Sequence, residues 1–535
     1  MKKIIIYLLL FTAVVARAQE DAWVYFTDKP EADFYLSNPL QMLSQKALDR
    51  RAVQGIALDV TDVPLHEPYI TAISGAPGIT VMAKSKWLNA LHIRGTEEAI
   101  NALTELEFVE SVDFANKLLN TSGRLQQPEQ RQTVNKFLET QADFDYGAAQ
   151  NQIVMLNGHL LHQQDYAGTG VTIAVMDSGF PGVDTAAPFQ RLFDNEQVLG
   201  TYDFVTESED VYSVTDTHGT LVLSTMGGYL EGEYAGTAPD ALYYLFRTED
   251  AESENPVEES YWVEAAEVAD SLGVDIINTS LGYFKYDNPA YDYTYEDLNG
   301  QTSFISRGAN IAFSRGMVCV TSAGNSGNSE DPYAAMPAEA TTTLAVGAVN
   351  AEEIRSPFSS IGPTFDGRIK PDVMARGVAS AVSNTSGSIV AASGTSFSGP
   401  ITCGLVACLW QALPELTNAE IVQLVKQSAD RFNNPDNEYG YGIPDFALAL
   451  DTASAQQIDK KSMLISPNPA TDLVLISGLE SDAEILIYNG LGQQVYKATV
   501  AKNKPAFSVQ ALPGGIYTFV LQSAKSAQSG KLVKR

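Results

Sequence analysis

Val171-Thr172-Ile173-Ala174-Val175-Met176-Asp177-Ser178-Gly179 is a nearly continuous apolar run that stops on a carboxylate and a glycine turn. A strand with no polar alternation is buried on both faces, which is the condition of a strand inside a parallel sheet. Two more runs repeat the type, Val274-Asp275-Ile276-Ile277-Asn278-Thr279 and Met317-Val318-Cys319-Val320-Thr321, and a helix-like stretch over 262–272 precedes the first of them. Strands that alternate with helices predict an α/β domain of parallel sheet flanked by helices. A carboxylate at the carboxyl end of such a strand faces the crevice where open α/β sheets hold their ligands.

The chain has 535 residues, more than one hydrophobic core sustains, so several domains are expected. Hydrophobic residues make up 45% and charged residues 19%, the balance of a globular protein. Against 34 basic residues stand 65 acidic ones, a net charge of −31 that repels phosphates and argues against nucleic acid and anionic membrane as partners. Cys319, Cys403 and Cys408 are too few for a disulfide framework, and the last two, five apart on a helical pattern, point to different faces.

Met1-Lys2-Lys3, a short apolar run and Ala16-Arg17-Ala18 are the three parts of a secretory signal peptide, expected over 1–18. The next longest apolar run, 401–413, is 13 residues, too short to span a bilayer and placed where a buried helix is expected, so the mature protein reads as exported and soluble. Residues 24–120 read as mixed α+β, with strands at 78–83, 87–93 and 109–112, a helix over 96–106 begun by Thr96 and an acidic first turn, and a polar linker over 127–141. The last 75 or so residues change to short strands, Leu473-Val474-Leu475-Ile476, Ile485-Leu486-Ile487-Tyr488 and Ile516-Tyr517-Thr518-Phe519-Val520-Leu521, separated by turn signals, which predicts a small β-sandwich.

Three reactive side chains stand at junctions of strand or glycine loop with helix: Asp177, His218 in Asp216-Thr217-His218-Gly219-Thr220, and Ser396 in Gly394-Thr395-Ser396-Phe397-Ser398-Gly399-Pro400. Singly each reads as a cap or a core polar group. Together, in the order Asp, His, Ser and separated by 41 and 178 residues, they have the order of the subtilisin triad rather than that of chymotrypsin or the α/β-hydrolases. Gly236-Thr237-Ala238-Pro239, Asn278-Thr279-Ser280-Leu281-Gly282, Ser322-Ala323-Gly324-Asn325 and Lys370-Pro371-Asp372-Val373 extend the likeness, and residues 145–450 resemble the subtilisin-like serine protease family, of peptidase S8 type. The wording Ser466-Pro467-Asn468-Pro469, Asn489-Gly490-Leu491-Gly492 and Leu512-Pro513-Gly514-Gly515-Ile516-Tyr517 resembles the C-terminal sorting domain of type IX secretion; a stabilising or carbohydrate-binding β-module is the other reading.

The resemblance implies a secreted endopeptidase in which Ser396 attacks the peptide carbonyl, His218 takes its proton, Asp177 holds the imidazole and Asn325 donates to the oxyanion. Ser280, Leu281, Gly282, Ala323 and Gly324 would flank an extended peptide substrate. It further implies a propeptide and linker over 19–144 that acts as inhibitor, with a ferredoxin-like segment at 81–114, although an accessory domain stays open; a catalytic domain over 145–455; and a sorting domain over 460–535 that engages the outer-membrane secretion machinery. Export through the periplasm to the surface or medium of a Gram-negative bacterium follows. No cofactor is required for the chemistry; calcium accompanies many members, but no ligand set has a readable spacing, so no metal residue is named. The rival from another class is a noncatalytic surface-binding protein on a protease scaffold.

Where many members of the family have a second histidine, three residues past the first, this chain has Leu221. Asp216 reads as a local cap, His159 and His162 as part of a surface helix rather than metal ligands, and the Tyr- and Asp-rich residues 283–303 either as an insertion near the non-primed subsites or as a solvated loop.

Overall fold

The computed structural model describes residues 19–120, 145–461, 464–466, 468–477, 481–490, 492–523 and 527–535. The expected signal peptide and the polar linker at 127–141 lie outside the described residues. The chain divides into two compact units after Leu450.

At the centre of the first unit is a seven-stranded sheet in which every pairing is parallel, ordered Val373–Arg376, Leu344–Val349, Val318–Ser322, Ile276–Thr279, Thr172–Asp177, Leu242–Arg247, Val198–Asp203. Every residue is buried in four of the five inner strands, Leu344–Val349, Val318–Ser322, Ile276–Thr279 and Thr172–Asp177, as their largely apolar text requires. The helix Thr395–Ala412 is buried over 395–410, and the helix Val257–Leu272 packs against Phe304–Ser314. All three cysteines are free and buried.

Residues 19–120 form a four-stranded antiparallel sheet ordered Ile79–Ser85, Ala90–Thr96, Gln19–Phe26, Val109–Phe114. With helices after the first and third strands this is the β-α-β-β-α-β arrangement of ferredoxin-like folds. It is larger than the segment 81–114, because Gln19–Phe26 is a central strand that the sequence reading did not isolate. Residues 87–89, expected in a strand, form the hairpin turn instead, with Asn89 at φ 51°. Thr96 caps the following helix as expected, accepting from the Ala99 N–H at 3.2 Å.

The second unit carries a three-stranded sheet, Leu464–Ser466, Leu473–Ser477 and Ala506–Ser508, and a four-stranded one, Gln494–Val500, Ala483–Tyr488, Gly515–Ser523 and Ala527–Lys534. Val474 and Ile476 from the first share one core with Ile485, Ile487, Phe519 and Leu521 from the second, which makes the expected sandwich.

Candidate active site

Asp177 ends its strand fully buried. Its Oδ1 accepts from the Ser178 N–H at 2.9 Å and from His218 Nδ1 at 2.7 Å, whereas its Oδ2 is buried with no partner among the described residues. His218 is the first residue of the helix His218–Gly227, and Asp216 accepts from its N–H at 2.8 Å, the capping role read from the sequence. The helix end can approach the Asp177 turn only because residue 219 is glycine: a Cβ there would sit 2.3 Å from the Gly179 carbonyl oxygen. Burial disfavours the imidazolium, yet the Asp177 charge and hydrogen bond, with the Asp216 charge behind them, outweigh it and hold the His218 pKa above the usual histidine value.

Ser396 is the second residue of the helix Thr395–Ala412 and is 8% exposed. Its hydroxyl donates to the Ser280 carbonyl at 3.3 Å rather than to His218, and the Ser280 hydroxyl returns a bond to the Ser396 carbonyl at 3.1 Å. The Phe397 ring stands 6.3 Å from the imidazole, centre to centre, beside the nucleophile. Asn325 follows the strand Val318–Ser322; its Oδ1 accepts from the Thr395 N–H at 2.9 Å and the Thr395 hydroxyl at 3.1 Å. Those two donors fix the amide with its oxygen inward and leave Nδ2 without an acceptor among the described residues.

A cavity of about 570 Å³ opens beside these groups, lined by Ser280, Leu281, Gly282, Gly324, Asn325 and Ser396 among others. Ala323, expected among the cleft walls, is buried instead: its N–H bonds the Val346 carbonyl at 3.0 Å and continues the sheet. The sequence reading missed Ser178, Ser322 and Thr395, which position the chain around the site; the Ser322 hydroxyl donates to the Thr395 carbonyl at 2.8 Å. Their signal was adjacency to the reactive residues.

Residues 283–303 are not a solvated loop. Phe284 and Lys285 border the cavity, but Tyr283, Tyr286, Tyr291 and Tyr293 are buried, because carboxylates wait for their hydroxyls: Tyr283 donates to Glu249 at 2.6 Å, and Tyr286 and Tyr293 donate to Glu259 at 2.6 and 2.7 Å. Nor is His162 on the surface: it is 3% exposed, and its ring nitrogens meet the Tyr146 hydroxyl at 2.8 Å and the Thr237 carbonyl at 3.0 Å. The i, i+3 spacing was read as an exposed face, but the short helix His159–His162 presses one face inward.

The carboxylates of Glu249, Glu254 and Glu258 converge to within 4.8 Å. Burial first, then repulsion from Asp287 and Glu259, raises the pKa of Glu254 to about 7, while burial raises that of Glu258 to about 8 against two backbone hydrogen bonds that lower it. Both Glu258 oxygens already accept backbone N–H groups and one Glu249 oxygen accepts the Tyr283 hydroxyl, so the trio does not offer the six to eight free oxygens that calcium takes, and no ion is assigned there.

Residues 19–120 close over the helices Val257–Leu272 and Phe304–Ser314. Glu267 accepts from the Ser85 hydroxyl at 2.6 Å and from the backbone N–H groups of Lys86 and Trp87 at 2.9 Å each. Ser260 pairs with Trp23 Nε1 at 2.9 Å and His92 Nδ1 at 2.8 Å, and Trp23 stacks on Phe304. Further along, Asp270 is bracketed by Arg50 and Arg51, the latter also bound to buried Asp62 at 2.9 Å.

Profiles of known families match three stretches: the subtilase family at 168–442, the peptidase S8 propeptide domain of Bacteroidota at 21–133, and the secretion system C-terminal sorting domain at 464–535. Subtilisin NAT of Bacillus subtilis subsp. natto is 30% identical over 293 residues, which is 54% of this chain and 68% of that protein. Serine protease AprX of Bacillus subtilis (strain 168) is 28% identical over 340 residues, 58% of this chain and 71% of that one. The crystal structure of MycP1 from Mycobacterium smegmatis aligns with 59% of this chain and 87% of its own at 23% identity and a TM-score of 0.44. The chain belongs to the subtilase family: it is a subtilisin-like serine endopeptidase with a propeptide and a type IX sorting domain.

Proposed function

We propose that this endopeptidase cuts peptide bonds through an acyl-enzyme on Ser396, with His218 as base, Asp177 as its holder, and the Asn325 side chain and Ser396 N–H as oxyanion donors. The observation that carries the reading is the 2.7 Å bond that His218 Nδ1 donates to Asp177, with the imidazole 6.3 Å from the ring of Phe397, the chain neighbour of cavity-lining Ser396. With Nδ1 as donor, the neutral ring presents Nε2 as acceptor. The Ser396 hydroxyl then rotates from the Ser280 carbonyl to Nε2 and loses its proton as it attacks. The resulting imidazolium faces the buried Asp177 charge, and the oxyanion meets the unspent Nδ2 of Asn325 and the first turn of a helix. Ser280, Leu281, Gly282 and Gly324 border the substrate path, small enough for close backbone approach.

The boundaries that go with this are a signal peptide over 1–18, a propeptide and linker over 19–144, the catalytic domain over 145–455 and the sorting domain over 460–535. The precursor passes through the periplasm, the propeptide blocks the enzyme until it is cut, and the sorting domain hands the chain to the outer-membrane machinery. The chemistry uses no cofactor; a structural calcium remains without named ligands. The noncatalytic binding-protein reading has no observation in its favour.

Fluorophosphonate labelling of the propeptide-free protein, followed by peptide mapping, tests the site. Label confined to the Ser396 peptide and absent from Ser396→Ala is the expected result. A folded chain that takes no label would remove the assembled triad.

A further inference from the structure

Beside the triad lies a second carboxylate whose bonds exceed those of a helix cap. Asp216 Oδ1 accepts the His218 N–H at 2.8 Å, and the same atom accepts the Ser178 hydroxyl at 2.7 Å. Ser178 Oγ also stands 3.2 Å from Asp177 Oδ1. A hydroxyl has one hydrogen, and the shorter, charge-assisted contact takes it. Asp216 therefore draws the Ser178 proton away from the triad carboxylate, which keeps as donors only the Ser178 N–H and His218 Nδ1. Capping the helix would need the His218 N–H alone; the link through Ser178 is extra.

The consequence is electrostatic. A carboxylate that accepts another hydrogen bond becomes a weaker base and holds an imidazolium less strongly. Without Asp216 the Ser178 hydroxyl would turn to Asp177 Oδ1 and compete with His218 for it. Resting on the triad reading above, we propose that Asp216 is a positioning residue of this active site: by engaging Ser178 and the His218 N–H it reserves Asp177 for the imidazole. The groups that bear on His218 are Asp177 and Ser178 from the strand end, Asp216 from its own turn, and Ser396 and Phe397 from the facing helix; Glu249 bears on Asp177 from behind. The Asp216 charge also favours the protonated ring.

The test is the pH dependence of kcat/KM on a peptide substrate and of fluorophosphonate labelling, on propeptide-free parent, Asp216→Asn, Asp216→Ala, Ser178→Ala and the double variant Asp216→Ala/Ser178→Ala. Asn keeps an acceptor for both donors but no charge, so the acid limb moves down by about half a pH unit while the plateau rate stays within about threefold. Ala frees the hydroxyl, and the plateau falls about tenfold with a further downward move of the limb. Removing Ser178 as well restores most of that loss, which a cap alone would not do. Equal rates for Asp216→Ala and the double variant would overturn the proposal, as would a loss carried by KM with the profile unmoved, the mark of a substrate contact. If Asp216→Ala does not fold, Asp216→Gly and its double variant with Ser178→Ala take its place, and equal rates for that pair overturn the proposal. Failure of the parent to take label on Ser396 would sink the triad reading and this one together, whereas labelled protein with unmoved profiles sinks this one alone.

Discussion

The cleft and the face of the helix Val257–Leu272 use the same polar residue types in opposite ways. At the cleft bonding capacity is left open among the described residues: Asp177 Oδ2 has no partner there, the Ser396 hydroxyl rests on a 3.3 Å bond, and Asn325 Nδ2 has no acceptor there. On the helix face it is the carboxylates that are filled, although Arg50 Nε, Arg51 Nε and Trp87 Nε1 are buried without partners among the described residues: Glu267 accepts three donors, Asp270 is held by two arginines, and Glu259 takes two tyrosine hydroxyls and the Ile305 N–H. A buried polar group without its partners costs free energy, so a region saturates unless something is to arrive. On the proposed mechanism the open capacity of the cleft serves a peptide and its charge in transit, whereas the helix face is already occupied by residues 19–120.

The sharpest way to break this contrast is Asn325→Ala. If the open donor serves the oxyanion, turnover falls by roughly 10² to 10³, about 3 to 4 kcal/mol of barrier, with unfolding unchanged. Near-normal turnover would mean that the open capacity has no chemical use. On the saturated side, Arg51→Met in an uncleaved Ser396→Ala chain removes one arm from Asp270 and strips buried Asp62 of its 2.9 Å partner. Breaking a buried pair on one side costs about 3 kcal/mol, to be read from denaturant unfolding of the first unit. A loss under ~1 kcal/mol would place this pair with surface ion pairs.

The sequence was far more legible at the cleft than at the face. Asp177, His218, Ser396 and Asn325 stand in short local texts at strand ends and helix starts; Asp177 and His218 are bonded to each other, and Ser396 and Asn325 line one cavity. That Ala323 is buried and continues the sheet was not legible, because adjacency in a motif does not say which residue of the loop still belongs to the sheet. The propeptide face depends on pairs far apart in the chain, such as Glu267 with Ser85 or Asp21 with Tyr291, 182 and 270 residues apart, which no local pattern announces. For the same reason the tyrosines of 283–303 left an insertion and a solvated loop both open: their polar tips find Glu249, Glu259 and Glu20, which are distant in sequence. The strand Gln19–Phe26 escaped notice because it follows directly on the signal segment and its partners are Ala90–Thr96 and Val109–Phe114.

Glu267 allows the filled region to be probed by pH. Burial raises its pKa from 4.5 to about 7, against the opposing pull of the Lys86 charge and three hydrogen bonds. An acid whose folded pKa lies above its unfolded one binds more protons when folded. Its contribution is therefore complete below pH 4.5 and lost as pH rises through 7. The uncleaved Ser396→Ala chain should lose about 2 to 3 kcal/mol from this group across that window, and Glu267→Gln, which imitates the protonated form, should flatten the difference in melting temperature between the two chains. Parallel curves would show that the docked carboxylate is as well solvated by its donors as by water.

The smallest effect tests whether saturation is redundant. Tyr293→Phe keeps the buried ring and removes one hydroxyl, leaving Glu259 with Tyr286 on Oε1 and the Ile305 N–H on Oε2. Because the carboxylate retains a donor on each oxygen, the loss should be that of one hydrogen bond, about 1 kcal/mol by denaturant unfolding. A loss above ~3 kcal/mol would mean that Glu259 depends on all its donors at once. The filled face would then be as finely poised as the cleft, and the two regions would differ in what binds them rather than in how much bonding capacity they hold in reserve.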